Sequence, residues 1–211
     1  MTGVQTWLFR SEPGHFHNGT SGALVVEKTG VAPIVDALRS ARFEVEHRSD
    51  VEAVLWTKLI INLNNSVNAL AGIPLLQQLH DREYRRVMAA CIREGLAVMR
   101  AAKIRPVRIG RLIPSLAPLI LSAPNPIFLR VAAAMVKVDP HATSSMQDDL
   151  QRGRTTEIDY LNGEVVALGT KLGVPTPANA AIVSLVKAAE AAKAGSPRLP
   201  AARLLDAIGA R

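Results

Sequence analysis

Cysteine is nearly absent from this 211-residue chain, with Cys91 standing alone. A single thiol excludes an internal disulfide framework, fits a reducing compartment, and cannot hold a metal ion by itself. Aromatic residues are scarce as well, at 4%. With alanine, leucine and valine abundant, that scarcity favours helix-on-helix packing over a β-sandwich. Clean apolar runs of membrane-spanning length are missing. Residues 59–80 carry no Asp, Glu, Lys or Arg, but they hold four asparagines, then Gly72 and Pro74. Residues 112–129 hold Pro114, Pro118, Pro124 and Pro126. The amides spoil the first run as a membrane span and the prolines spoil the second, so both read as buried helices broken by turns. No secretory signal opens the chain, because residues 1–9 lack a long enough apolar core. The expected location is cytoplasmic, with no membrane partner.

None of the fourteen glycines falls in a GxGxxG pattern, so the strand–loop–helix cradle for a dinucleotide's phosphates is not encoded here. A dense basic block is missing too. The net charge is +7 and the pI about 10.1, which raises the prior for anionic partners. Yet no five or six basic residues run together, and no aromatics interleave them, so nucleic acid is not expected as a partner. What remains is an ordinary globular composition, 48% apolar and 20% charged, long enough for one large domain or one and a half small ones.

Residues 1–48 are mixed. Val4–Phe9 and Ala23–Glu27 read as strands around a turn region, PGHFHNGTSG. Val31–Phe43 has helical periodicity, with Val31, Ile34, Val35 and Leu38 on one side and Thr29 as its cap. Glu44–Arg48 reads as a further strand. So small a β-β-α-β run cannot close its own core, and it resembles the edge of a larger sheet. From Ser49 the chain turns helical to its end. Ser49 and Glu52 open a helix to about Leu70, stopped by Gly72 and Pro74. Helices follow over Asp81–Lys103, Leu112–Leu121, Ile127–Val138, Ser144 or Ser145 to Gly153, Thr155–Leu172 and Ala178–Ala192. A GSPRLP linker then leads to Ala201–Ile208. The expected fold is mostly α, a helical bundle preceded by a small β/α piece, with domains at 1–48 and 49–211.

Residues 51–70, VEAVLWTKLIINLNNSVNAL, are apolar in nearly every direction, so this helix should be buried. Lys58, Asn62 and Asn65 nevertheless fall on one narrow stripe at i, i+4 and i+7, with Ser66 at its edge. Thr57, Asn64 and Asn68 form a second polar line. A buried lysine is costly unless an anion or a polar network receives it. Amides beside it can bind a hydroxyl or a carboxylate. The structural alternative is that Lys58 reaches solvent while the asparagines satisfy neighbouring helix ends.

The second signal is SSMQDDLQRGRTTEIDYLNG, residues 144–163. Ser144–Gln147 and Ser145–Asp148 both have capping-box spacing, and Glu157 comes twelve residues after Ser145, in the first turn of the next helix. A serine at a helix start offers a hydroxyl beside free N–H groups, a seat for a carboxylate. Its structural alternative is two capped helices joined by RGRTT. His15 and His17 read as a turn-flanking pair rather than metal ligands, His141 as a loop residue, and Trp56 and Cys91 as packing.

Together these segments resemble the C-terminal part of the ketopantoate reductases (2-dehydropantoate 2-reductases). WTKLIINLNN is similar to that family's catalytic helix, SSMQDDLQRGRTTEIDYLNGEVV to its signature, and GVPTPANAAIVSLVKAAE to the segment after that signature. HFHNGTSGALVVE resembles the strand pair that ends its nucleotide-binding domain. The resemblance implies an N-terminal Rossmann domain that binds NADPH, an all-helical domain that closes the cleft and pairs two copies, and reduction of ketopantoate to pantoate on the way to pantothenate. It puts the proton-donating lysine at Lys58, the asparagine one turn on at Asn62, the substrate-contacting serine at Ser145, and the acidic residue near substrate and cofactor at Glu157. Hydride delivery to a ketone builds negative charge on oxygen, which a nearby ammonium can stabilise and protonate. Partial burial would lower the lysine's pKa, and Glu157 would oppose that shift if the two paired.

Two departures stand out. The family's second asparagine, eight residues after the lysine, is Ser66 here; the stretch looks one residue short, so Asn65 can take that role, and a related 2-keto acid is an alternative substrate. The chain also opens where the family's first domain is finishing, through a misplaced start, a frameshift or a true truncation. The expectation is therefore a reductase fragment incomplete by itself. The alternative is a non-catalytic helical protein that self-associates or binds a partner.

Overall fold

Strand pairing sets the beginning of the computed structural model, which describes residues 3–4, 8–12, 15–18, 23–27, 32–108, 113–133 and 139–210. These pack as two compact units, Met1–Leu55 and Trp56–Arg211. In the first unit, β1 (Gly3–Val4), β2 (Leu8–Glu12), β3 (His15–Asn18) and β4 (Leu24–Glu27) precede α1 (Ala32–Ser40) and β5 (Val45–Arg48). β4 lies between β1, antiparallel to it, and β5, parallel to it, with Leu24 opposite Val45 and Glu27 opposite Arg48. A parallel pair needs a crossover connection, and α1 supplies it. The histidine-rich stretch read as a turn is instead strand β3, antiparallel to β2 with His17 opposite Phe9. On α1, Val35 is buried as its periodicity requires, whereas Ile34 is 43% exposed. Thr29, Val31, Leu112 and residues 134–138, where sequence places a cap or helix, lie outside the described residues.

The helix read as continuous from Ser49 to Leu70 is two pieces, α2 (Val51–Asn62) and α3 (Asn64–Ala71). Leu63 between them keeps right-handed angles, and its N–H still reaches the Leu59 carbonyl at 3.1 Å. The break has a local cause. Ser66 Oγ donates to the Leu63 carbonyl at 2.9 Å, a side-chain bond that competes with the backbone ladder and bends helices. Gly72 ends α3 at φ +65°, and a Cβ there would stand 2.5 Å from Ser196 Oγ, so both its conformation and its space require glycine.

α4 (Leu75–His80) leads into α5 (Arg82–Ala101), the longest helix of the second unit among the described residues. Asp81 caps α5 by accepting from the Glu83 N–H at 2.8 Å. Val87, Cys91, Val98 and Met99 along it are fully buried. Around α5 lie α6 (Ala117–Ser122) after a 3-10 turn at Pro114–Leu116, α7 (Asn125–Ala133), α8 (Ser145–Gln151), α9 (Asn162–Leu172), α10 (Pro177–Ala192) and α11 (Ala201–Ala207). One apolar core joins Ile60, Leu63, Val67 and Leu70 to Val87, Cys91, Met146, Val165, Ile182, Val186 and Leu204. Each such side chain contributes about 1.5–3 kcal/mol through burial. Burial also pushes the Cys91 thiol far up, so it stays protonated.

Two polar devices tie this bundle together. Arg85 is fully buried without a carboxylate partner. Its guanidinium donates to the carbonyls of Leu79, Leu121 and Ala123 and to Asn125 Oδ1, and it stacks 4.1 Å from the Phe128 ring. It thus satisfies carbonyls at the ends of α4 and α6 that have no helical acceptor role left. The GSPRLP segment, read as a linker, is a strap: Ser196 Oγ donates to the Ala69 carbonyl at 2.6 Å, the Leu199 N–H to the Leu70 carbonyl at 2.8 Å, and Tyr84 Oη to the Leu199 carbonyl at 2.8 Å.

Candidate functional site

Asparagines buried in a helix must find partners, and the second polar line of α2 and α3 does so structurally. Thr57 Oγ1 accepts from the Val107 N–H at 2.9 Å. Gln78, fully buried, donates from Nε2 to Asn64 Oδ1 at 2.7 Å and accepts from Asn68 Nδ2 at 2.9 Å. Asn68 also donates to the Ile73 carbonyl, and its Oδ1 accepts from the Ser144 N–H at 2.9 Å. Sequence reasoning named this line but missed Gln78, whose burial only the fold reveals.

Asn68 therefore docks the start of α8 onto α3. Ser144 completes the joint: its Oγ donates to the Asn65 carbonyl at 3.1 Å and accepts from the Gln147 N–H at 3.2 Å. Ser144 is thus the cap of α8. That division frees Ser145, the first helical residue, to turn its hydroxyl elsewhere. Ser145 Oγ donates to Glu157 Oε1 at 3.1 Å. Asp148, the possible partner of a Ser145 cap, accepts instead from Thr143 Oγ1.

Glu157 is not in the first turn of a long helix beginning at Thr155. It precedes a 3-10 turn, Ile158–Tyr160, and α9 starts only at Asn162. Leu161, at φ −109° and ψ −94°, separates the two. The turn is anchored by Thr156, whose N–H donates to Glu190 Oε1 at 2.6 Å and whose Oγ1 accepts from the Ile158 N–H. Lys187 pairs with Asp159 of that turn.

On the first stripe, Lys58, Asn62 and Asn65 are all half-buried. Lys58 lies about 10 Å from Asn65 along the helix, at about 1.5 Å per residue. Burial holds its ammonium below the usual lysine range. Ser66 differs: it is fully buried and its hydroxyl is committed to the Leu63 carbonyl. The structure therefore brings Ser145 and Glu157 into contact, joins the neighbouring Ser144 to the Asn65 carbonyl, and turns Ser66 into the helix. Among the described residues, no group of three or more His, Cys, Asp or Glu side chains gathers to hold a metal ion, and no helix is long and apolar enough to cross a membrane.

A hydroxyl and a carboxylate in contact, on a helix joined to the stripe that carries an ammonium and two amides, are residue types that suit a small oxyacid. Comparison with known proteins points the same way. Residues 50–190 match the model of the ketopantoate reductase PanE/ApbA C-terminal family. A 2-dehydropantoate 2-reductase of Caulobacter vibrioides is 31% identical over 188 residues, 85% of this chain and 56% of that protein. One from Pyrobaculum aerophilum is 31% identical over 165 residues, 77% of this chain and 52% of that protein. The chain thus spans about half the length of the curated relatives it matches. Among solved structures, a PanE/ApbA family ketopantoate reductase from Ralstonia eutropha superimposes with a TM-score of 0.72 at 30% identity, over 90% of this chain and 59% of that one. D-mandelate dehydrogenase, solved with NADH and anilino(oxo)acetate, shares the fold at 19% identity and a TM-score of 0.63. The chain belongs to the ketopantoate reductase family of oxidoreductases, and its helical unit is that family's C-terminal domain.

Proposed function

We propose that this chain supplies the keto-acid-binding part of an NADPH-dependent 2-dehydropantoate 2-reductase, or of a reductase for a related 2-keto acid. The contact between Ser145 and Glu157, at the point where α8 is hooked to the Lys58 stripe, carries this reading. Lys58 donates a proton to the keto oxygen as that oxygen gains negative charge, and its lowered pKa eases the transfer. Asn62 and Asn65 donate from their amides to the substrate carboxylate. Asn65, rather than the committed Ser66, takes the role of the second asparagine. The Ser145 proton is engaged by Glu157, so its oxygen lone pairs are left to accept from a substrate hydroxyl. This fixes the substrate's orientation relative to the lysine.

NADPH would supply the hydride. The residues present do not fit its phosphates, since no GxGxxG loop exists in the sequence. Turnover on this reading needs a dinucleotide-binding unit beyond these residues, and two copies associate through the helical unit. Calorimetric titration of the chain with ketopantoate tests the reading. Lys58→Ala and Ser145→Ala should each weaken binding, the former about tenfold or more because a charged hydrogen bond is lost. Binding that is absent, or indifferent to both changes, would overturn it.

A further inference from the structure

The charge of this chain is not spread evenly. Residues 95–138 hold seven basic residues and no acidic one, so the entire net charge of +7 lies in that segment. The same segment carries most of the large apolar side chains that the described residues expose, among them Leu119 at 73% and Ile127 at 59%. Two grooves, of about 460 and 400 Å³, meet on this face and share Leu119 and Ser122. Arg93 and Arg100 of α5 stand along the first, about 10 Å apart at the rise of a helix. Neither makes a hydrogen bond or ion pair among the described residues. The second groove is almost wholly apolar, with Ile127 and Val131 in its wall. Arg130, three residues after Ile127, is also exposed. No acidic residue lines either groove.

The covering partner must therefore be both apolar and anionic. A second copy seated on the same face would bring no carboxylate from either groove to these arginines. A nucleic acid would find no stacking platform, because the one aromatic of the face, Phe128, is buried. Protruding aliphatic side chains with a basic rim match the interface of a bilayer rich in anionic lipid. We propose that α6, α7 and the adjoining face of α5 form a docking surface for such a bilayer. Leu119 and Ile127 enter the boundary between headgroups and acyl chains, and Arg93, Arg100 and Arg130 meet the lipid phosphates. This is peripheral attachment, which asks for no spanning helix.

Flotation of the full chain with vesicles tests this. It should float with phosphatidylglycerol–phosphatidylcholine vesicles near physiological salt and stay behind with pure phosphatidylcholine. Leu119→Glu should lower the partition coefficient at least about tenfold. Arg93→Glu with Arg100→Glu should lower it roughly 25-fold or more, at about fivefold per basic residue removed. Lys171→Glu, exposed on α9 and lining neither groove, should change it less than about fivefold. All these positions are exposed, so circular dichroism should stay as in the parent chain. Equal binding to both vesicle types would overturn the proposal, and so would binding that ignores Leu119→Glu, which would be adsorption of a basic protein. So would failure to bind vesicles, including the case of a dimer that Leu119→Glu dissociates, which would assign the face to a second copy.

Discussion

Replacing Asn68 with alanine should loosen the joint on which the candidate site is built. Asn68 is fully buried and makes three hydrogen bonds: from Nδ2 to the Ile73 carbonyl and Gln78 Oε1, and to Oδ1 from the Ser144 N–H. Each contributes about 1 kcal/mol net, and stranding a buried group costs about 1–3 kcal/mol. Ser144 N–H and Gln78 Oε1, both on buried residues, lose their partner together. The expected loss is about 3–5 kcal/mol, or roughly 10 °C in melting temperature for a domain of this size. Urea unfolding at 25 °C measures the loss, and amide exchange at Ser144 localises it. The Ser144 amide should lose its protection before the α5 core does, and ketopantoate binding should weaken even where the chain is still folded. A loss under about 1 kcal/mol with Ser144 still protected would refute the reasoning.

Other consequences are open to measurement. Glu94 caps α10 from α5, accepting from the Ala178 and Asn179 N–H groups and from Asn179 Nδ2, so Glu94→Ala should cost about 2–4 kcal/mol by urea unfolding. A Cβ at Gly169 would stand 2.9 Å from the Val174 carbonyl oxygen and 2.8 Å from Thr176 Cγ2, so Gly169→Ala should destabilise by about 1–3 kcal/mol despite alanine's better helix propensity. Burial lowers the Lys58 pKa, and the ammonium is the form that binds an anion. Keto-acid affinity should therefore hold at neutral pH and fall as pH rises, with a midpoint below the ordinary 10.5; Lys58→Arg should remove that fall over the same range. In the protein joined to a dinucleotide-binding unit, Lys58→Ala should lower turnover about a hundredfold, measured by NADPH oxidation.

The helical class and most helix ends were legible, because they depend on local chemistry. Gly72 and Gly173 sit where left-handed caps occur, and Asp81 and Ser144 where a side chain can accept from a first-turn N–H. Ser144 and Ser145 could not be told apart by spacing, since each has a polar residue three positions on. Only the approach of Asn65 and Asn68 from another helix decides which caps and which faces Glu157. The break at Leu63 was hidden for a related reason: Ser66 looks like a pocket residue at helical spacing until its hydroxyl is seen bonded backwards. His15–Asn18 has weak strand propensity and becomes a strand by pairing with Leu8–Glu12. Arg85 gave no local signal at all, because its acceptors lie up to 40 residues away.

The most direct test tracks backbone amide shifts while ketopantoate is titrated into the labelled chain. If one pocket holds the keto acid, amides of residues 58–65 and of residues 145–157 should move together along a single saturation curve, and Ser145→Ala should weaken both sets equally. Shifts confined to one of the two segments, or two curves with different midpoints, would contradict a shared site.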